Sequence, residues 1–188
     1  MKYVAFFRGI NVGKKNIIKM ADLKDIFIKL GYKNPETYLR SGNVIFESEN
    51  KDKESIATDI EDNLKGSFDI SVPVFVKNIE EIAEIIENNP FKDCPKESIE
   101  KLYFTLLSNK PDKNLVQKLN KELKDYKNNY NGNKDDMDDF IITDSVVYLL
   151  CNSKYHKTKF NNNYFESKLK EIATTRNWKT MNKIAKNK

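Results

Sequence analysis

The order in which hydrophobic patterns follow one another over the first 77 residues constrains this chain more than any other feature. Lys2 to Arg8 places Val4 and Phe6 on one side and Tyr3, Ala5 and Phe7 on the other, so both sides are apolar and the segment reads as a central strand. Met20, Leu23, Ile26, Phe27 and Leu30 recur at helical spacing and stop at Gly31, a glycine end signal. Glu36 to Arg40 and Asn43 to Glu47 read as strands joined by Ser41 and Gly42 in a two-residue hairpin turn. Ile56, Ile60, Leu64 and Phe68 then step by four along a second helix. Val72 to Val76 follows as a strand, and Pro73 confines it to a sheet edge.

The pattern then begins again. Ile79, Ile82 and Ile86 mark a linking helix, Lys101 to Leu107 a strand, and Leu115, Val116, Leu119 and Leu123 a helix. Phe140 to Thr143 and Val146 to Cys151 form a hairpin across Asp144 and Ser145, and Phe165, Leu169 and Ile172 mark another helix. The two series lie about 100 residues apart without convincing residue identity. A split strand-helix-strand unit written twice specifies an α+β chain: two ferredoxin-like subdomains packed together, plus C-terminal helices. The expected boundaries are 1–77 for the first subdomain, 78–100 for a linking helix and loop, 101–173 for the second subdomain and 174–188 for a C-terminal helix, all in one two-lobed unit.

Composition bounds the partners. With 39% hydrophobic residues in 188, the chain holds enough apolar material for a core, which excludes disorder as the default. Its longest apolar run, Val146 to Cys151, is far below the ~18 residues of a spanning helix, and no charged-then-apolar leader opens the chain. A soluble, cytoplasmic protein without a membrane partner is expected. Cys94 and Cys151 are far apart and lack ligands at metal spacing, so neither a disulfide scaffold nor a metal site is expected. Cofactor and oligomeric state stay open.

Among the 33 basic residues only Arg8, Arg40 and Arg176 are arginine. A guanidinium forks planar, bidentate hydrogen bonds to phosphate or carboxylate that a lysine ammonium cannot reproduce. An arginine that persists in so lysine-rich a chain therefore marks a position to examine, either as a ligand contact or as a buried structural pair.

The segment FFRGINVGKKNIIKMADLKDIFIKLGY followed by TYLRSGNVIFES resembles the opening of the bacterial family known as domain of unknown function 1697, and ATTRNWKTMNKIA resembles its closing motif. All three arginines fall inside these blocks. The resemblance implies a pair of ferredoxin-like α+β subdomains, in agreement with the duplicated pattern, and brings no established activity with it.

One difference between the halves bears on function. The second half passes almost directly from Leu107 to a helix near Pro111, whereas Gly9 to Lys19 intervene in the first. A long loop that the fold does not require is more often functional. In a split strand-helix-strand unit the first two strands run parallel with the third between them. The loop after the first strand and the first hairpin therefore lie at one end of the sheet. Arg8, Gly9, Asn11, Gly13 and Lys14 should accordingly stand near Arg40, Ser41, Gly42 and Asn43, a set suited to a phosphate or carboxylate. The competing structural reading is that these polar side chains tie loop and hairpin to each other. The glycine spacing fits neither a Walker loop nor a dinucleotide fingerprint.

Within TTRNW, Thr174 and Thr175 read as caps of a helix carrying Trp178, Met181, Ile184 and Ala185, with Arg176 in its first turn. A cation at the positive end of a helix invites an anion or a carboxylate, so Arg176, Asn177 and Trp178 join the candidate ligand-binding residues. Residues 154–188 hold nine lysines and Arg176 against Glu166 and Glu171, a net +8, interleaved with Tyr155, His156, Phe160, Tyr164, Phe165 and Trp178. That composition offers nucleic-acid binding as an alternative. His156 has no partner at helical spacing, and the bunch of Asp135, Asp136, Asp138 and Asp139 lacks a calcium-loop pattern and reads as a solvated loop. Cys94 and Cys151 read as small hydrophobes. The expected function is binding of a small anionic ligand at the loop after the first strand and the first hairpin. The alternatives are an enzyme acting on an anionic substrate at the same cluster, with no identifiable catalytic residue, and nucleic-acid binding through the C-terminal segment.

Overall fold

The computed structural model describes residues 1–40, 42–92 and 96–187, with residues 96, 97 and 134 described by their backbone alone. The chain divides into two compact units, Met1–Glu84 with Ile184–Lys188, and Ile85–Lys183. The first contains β1 (Lys2–Phe7), α1 (Met20–Lys29), β2 (Lys33–Thr37), β3 (Asn43–Glu47), α2 (Lys53–Phe68) and β4 (Val74–Asn78), with α3 (Ile79–Glu87) leading out of β4. The second contains β5 (Leu102–Leu107), α4 (Lys113–Asn128), β6 (Asp139–Thr143), β7 (Val146–Leu150), α5 (Asn162–Leu169) and β8 (Ala173–Asn177), followed by α6 (Trp178–Ala185).

Each unit has one four-stranded antiparallel sheet, in the orders β2-β3-β1-β4 and β6-β7-β5-β8. With helices on each, this is the expected α+β arrangement of two ferredoxin-like subdomains. The registers repeat. Tyr3 pairs with Phe46 and Asn78 as Tyr103 pairs with Leu149 and Asn177. Phe7 N–H donates to the Gly42 carbonyl as Leu107 N–H does to that of Ser145, and Arg8 N–H donates to Pro73 as Ser108 N–H does to Ile172.

Local chemistry sets the helix ends. The Asp52 carboxylate accepts from the Glu54 and Ser55 N–H groups at the start of α2, and the Asp112 carboxylate accepts from Asn114 and Leu115 at the start of α4. Gly31, at φ +79, ends α1 as the sequence implies. The helical stripes close over the sheets. Leu23, Ile26, Phe27, Ile56, Ile60 and Leu64 pack with Tyr3, Ala5, Phe7, Val44 and Phe46, while Leu119, Leu123, Phe165 and Leu169 pack with Leu107, Phe140, Val147 and Leu149. Val4 and Phe6 are buried as well, so both sides of β1 are covered, as its two apolar sides require.

Several expectations are corrected. Residues 174–177 are strand, not helix: β8 completes the second sheet as its edge, and Thr174 and Thr175 cap nothing. Helix α6 starts at Trp178, and Asn177 caps it by accepting from the Thr180 N–H at 2.9 Å. Strand β2 lies at Lys33–Thr37 rather than at Glu36 to Arg40, so the first hairpin turn is longer than Ser41 and Gly42. Strand β4 starts after Pro73 and is an edge, as proline demands. Ile172 and Phe68 are exposed rather than core. Asp138 is buried, and Asp139 opens β6 and pairs with Lys127 at 2.6 Å, so the acidic bunch is not simply a solvated loop.

Candidate functional site

The loop after β1 is seated by its apolar residues and shaped by its asparagines. Ile10 and Ile18 are buried in the core of the first unit. Between them the chain turns tightly: Lys15 N–H donates to the Val12 carbonyl at 3.3 Å, and Asn11 N–H to that of Asn16 at 3.0 Å. Four residues of this loop have left-handed backbone, Gly9 (φ +78), Asn11 (φ +54), Gly13 (φ +61) and Asn16 (φ +51), the residue types that tolerate it best.

The Asn11 side chain joins loop to hairpin. Its Nδ2 donates to the Arg40 carbonyl at 3.1 Å, and its Oδ1 accepts from the Ile18 N–H at 2.8 Å. Asn16 Nδ2 donates to the Gly9 carbonyl at 3.3 Å. On the hairpin side Asn43 is fully buried. Its Nδ2 donates to the Tyr38 carbonyl at 2.7 Å, while its own carbonyl takes the Tyr38 N–H at 2.8 Å. Gly42 (φ +71) lies so close to the loop that a Cβ there would stand 2.3 Å from Ile10 Cγ2. Loop and hairpin thus meet at one end of the first sheet, as topology implies; the Asn11 amide joins them, and the Asn43 amide closes the hairpin on itself.

What remains outward is cationic and aliphatic. Lys14, Lys15, Lys19 and Arg40 are exposed, and Arg8 and Gly9 are partly so. Residues 8–19 and 38–42 together carry five basic residues and no Asp, Glu, His or Cys. Ser41 lies outside the described residues, as does Cys94.

The TTRNW residues belong to the second unit. Arg176 is buried in β8, where its Nη1 donates to Thr174 Oγ1 and to the Thr175 carbonyl, each at 2.9 Å. Burial pushes its guanidinium down to about 10, against a raising influence of Tyr155, so it remains a cation at neutral pH. The aromatics read as base-stacking partners are engaged inside this unit: Phe160 and Phe165 are buried, Tyr155 stacks on Tyr103 at 4.5 Å, and Tyr164 packs edge-on against Phe160 at 5.3 Å. His156 is exposed. Burial pushes the Cys151 thiol up to about 11, which leaves it un-ionised and unreactive at neutral pH. Among the described residues no three His, Cys, Asp or Glu side chains gather in a way that could hold a metal ion.

Three features escape the sequence. The outward-facing Val12, Ile17 and Leu39 look like core residues when read along the chain; their sole signal is that they stand close in sequence to buried Ile10 and Ile18 and half-buried Tyr38 in segments without strand or helix period. The linking role of Asn11 has only the hint of asparagine's tolerance for left-handed backbone. A cleft of about 680 Å³ at the other end of the first sheet, lined by Met1, Tyr32, Lys33, Glu47, Glu49 and Asp59 among others, carries no motif.

The chain belongs to the family described as protein of unknown function (DUF1697), whose model matches residues 1–135. It is similar in structure to a conserved bacterial protein, SP0830 of Streptococcus pneumoniae, with a TM-score of 0.71 at 23% identity over 98% of this chain and 97% of that one. At that identity the likeness speaks for the fold alone. No curated protein matches the chain.

Proposed function

We propose that this protein binds a small anion, a phosphate- or carboxylate-bearing ligand, at the end of the first sheet where the β1–α1 loop meets the β2–β3 hairpin. The observation that supports this reading is that two segments joined through the Asn11 amide carry five cations and no carboxylate of their own. Gathering like charges costs free energy unless an opposite charge joins them. Arg8 and Arg40 supply planar donors, Lys14, Lys15 and Lys19 add positive potential, and the left-handed backbone at Gly9 and Gly13, where a Cβ would meet nothing within 4 Å, lets main chain approach a ligand closely. Asn11 and Asn43 act as positioning residues. Arg176, Asn177 and Trp178 belong to the second unit, and the proposed site does not draw on them. Neither segment carries a His, Asp, Glu or Cys, and the reading is one of binding.

Thermal-shift measurements with phosphate, pyrophosphate, sugar phosphates and citrate test it, repeated on Arg8→Lys and Arg40→Lys. The expected result is a concentration-dependent rise in Tm that the variants reduce or lose. A rise that survives both substitutions unchanged would show the arginines to be structural and remove the site.

A further inference from the structure

Three of the eight large apolar side chains exposed among the described residues, Val12 at 65%, Ile17 at 59% and Leu39 at 53%, stand on the same two segments as the five cations. Each is next in sequence to a group that meets at the Asn11 side chain. Val12 follows Asn11 itself, Ile17 precedes the Ile18 N–H bonded to Oδ1, and Leu39 precedes the Arg40 carbonyl bonded to Nδ2. Ile10 and Ile18 turn into the core at 1% and 5% exposure, so the loop is firmly seated while its other apolar residues face out. Leu39 has φ +61, a conformation that a leucine adopts at a cost, and it shows its side chain to water. Neither folding nor solubility explains aliphatic groups in these positions.

We propose that this end of the first unit docks on an anionic lipid bilayer, a proposal that rests on the anion-binding reading and names its partner. Val12, Ile17 and Leu39 enter the boundary between headgroups and acyl chains, and Arg8, Lys14, Lys15, Lys19 and Arg40 lie at the level of the lipid phosphates. Short apolar insertion combined with Lys and Arg is the chemistry of interfacial binding. The composition suits other macromolecules less well. The core of a protein–protein interface is depleted in lysine and relies on Trp, Tyr and Arg, and single-stranded nucleic acid calls for exposed aromatic platforms. The exposed side chains here are aliphatic. No helix among the described residues is long and apolar enough to cross a membrane, which bears on spanning a bilayer and not on lying against one.

Flotation with vesicles of phosphatidylcholine alone, and of phosphatidylcholine with a quarter phosphatidylglycerol, tests the proposal on the whole chain. The wild type should float with the anionic vesicles only, and less so as salt rises. Leu39→Asn with Val12→Ser should lower the partition coefficient by roughly tenfold or more while keeping the Tm, since both sites are exposed and asparagine suits the backbone at residue 39. Pyrophosphate is titrated in parallel. No vesicle binding, with a pyrophosphate shift that the arginine variants abolish, would overturn the lipid proposal and leave the anion site standing; loss of both would remove both. Flotation unchanged in the apolar variant would overturn the proposal in favour of general attraction by a lysine-rich chain. Binding to polyglutamate that is sensitive to the apolar variant, without vesicle binding, would overturn it in favour of an acidic protein partner.

Discussion

Replacing Gly42 by alanine tests whether loop and hairpin are locked together. A Cβ on Gly42 would stand 2.3 Å from Ile10 Cγ2, 3.0 Å from Phe7 Cβ and 3.3 Å from Phe7 Cδ2, and the backbone there has φ +71. Left-handed backbone costs a Cβ-bearing residue about 1 kcal/mol, and forcing a methyl into a filled site costs about 1–3 kcal/mol more. The sum is about 2–4 kcal/mol. Gly13 provides the control, because it shares the left-handed backbone at φ +61 but a Cβ there meets nothing within 4 Å. Gly13→Ala should therefore cost about 1 kcal/mol. Urea unfolding, with hydrogen exchange at β1 and β3 amides to localise the effect, reads both. Ile10→Ala removes the clashing atom, so the double variant Ile10→Ala, Gly42→Ala should cost less than the sum of the singles by about 1 kcal/mol or more. Equal costs at Gly42 and Gly13, or additive effects at Ile10 and Gly42, would refute the close approach.

Cys151 gives a prediction at alkaline pH: burial raises its folded pKa from 9.0 to about 11, so its contribution to stability is present below pH 9 and is lost as pH rises through about 11. Cys151→Ala should remove a stability slope of up to about 1.4 kcal/mol per pH unit across that window, measured by urea titrations between pH 8 and 11. Asp138, buried, accepts from both the N–H and the hydroxyl of Ser153 at 2.9 Å, so Asp138→Ala should cost about 2–3 kcal/mol in urea and Asp138→Asn less. Shortening residues 8–19 to the five-residue connection Ser108 to Asp112 of the second half should leave a foldable unit, destabilised by several kcal/mol through loss of buried Ile10 and Ile18, and should abolish pyrophosphate binding in calorimetry.

The elements legible in the sequence are those with two strong constraints. Strand β1, apolar on both sides, and the helices with four-residue apolar steps lie where periodicity puts them. The two misread strands are both edges. Strand β2, Lys-Asn-Pro-Glu-Thr, contains a register irregularity between Lys33 and Glu36 and left-handed Asn34. Strand β8, Ala-Thr-Thr-Arg-Asn, contributes one apolar side chain, Ala173, to its core. An edge strand has one hydrogen-bonded neighbour, so its position is set by the ladder it joins more than by its own pattern. Threonines before an apolar run resemble caps until the ladder to β5 is seen. The site divides in the same way. Its location follows from the rule that places the first loop and hairpin at one end. What Asn11 and Asn43 bond to does not, because the acceptor of Asn11 is the distant Arg40 carbonyl, supplied by tertiary structure, and that of Asn43 is the Tyr38 carbonyl, set by the shape of the hairpin turn.

The second half acts as a control for the first, since both present the same backbone at the same end of the sheet. Where the first unit has Arg8 donating its N–H to Pro73, the second has Ser108 donating to Ile172. There the chain satisfies itself. Ser108 Oγ donates to Glu171 Oε2 at 2.6 Å and accepts from the Ile172 N–H, Asn109 Nδ2 reaches the same carboxylate at 3.0 Å, and Lys110 pairs with Asp144 in the hairpin turn at 2.6 Å. The loop Ser108 to Asp112 and the turn Asp144–Ser145 of the second unit thus include their own acids, Asp112 and Asp144, and no large apolar side chain. The first unit keeps the backbone scheme, inserts a longer loop, has no acid within residues 8–19 or 38–42, and turns Val12, Ile17 and Leu39 outward. A fold that can close this end with neutral and paired groups, as its own twin does, has no structural need for the cationic version. The difference between the halves is therefore the ground on which the proposed anion site stands, because the fold alone does not call for it.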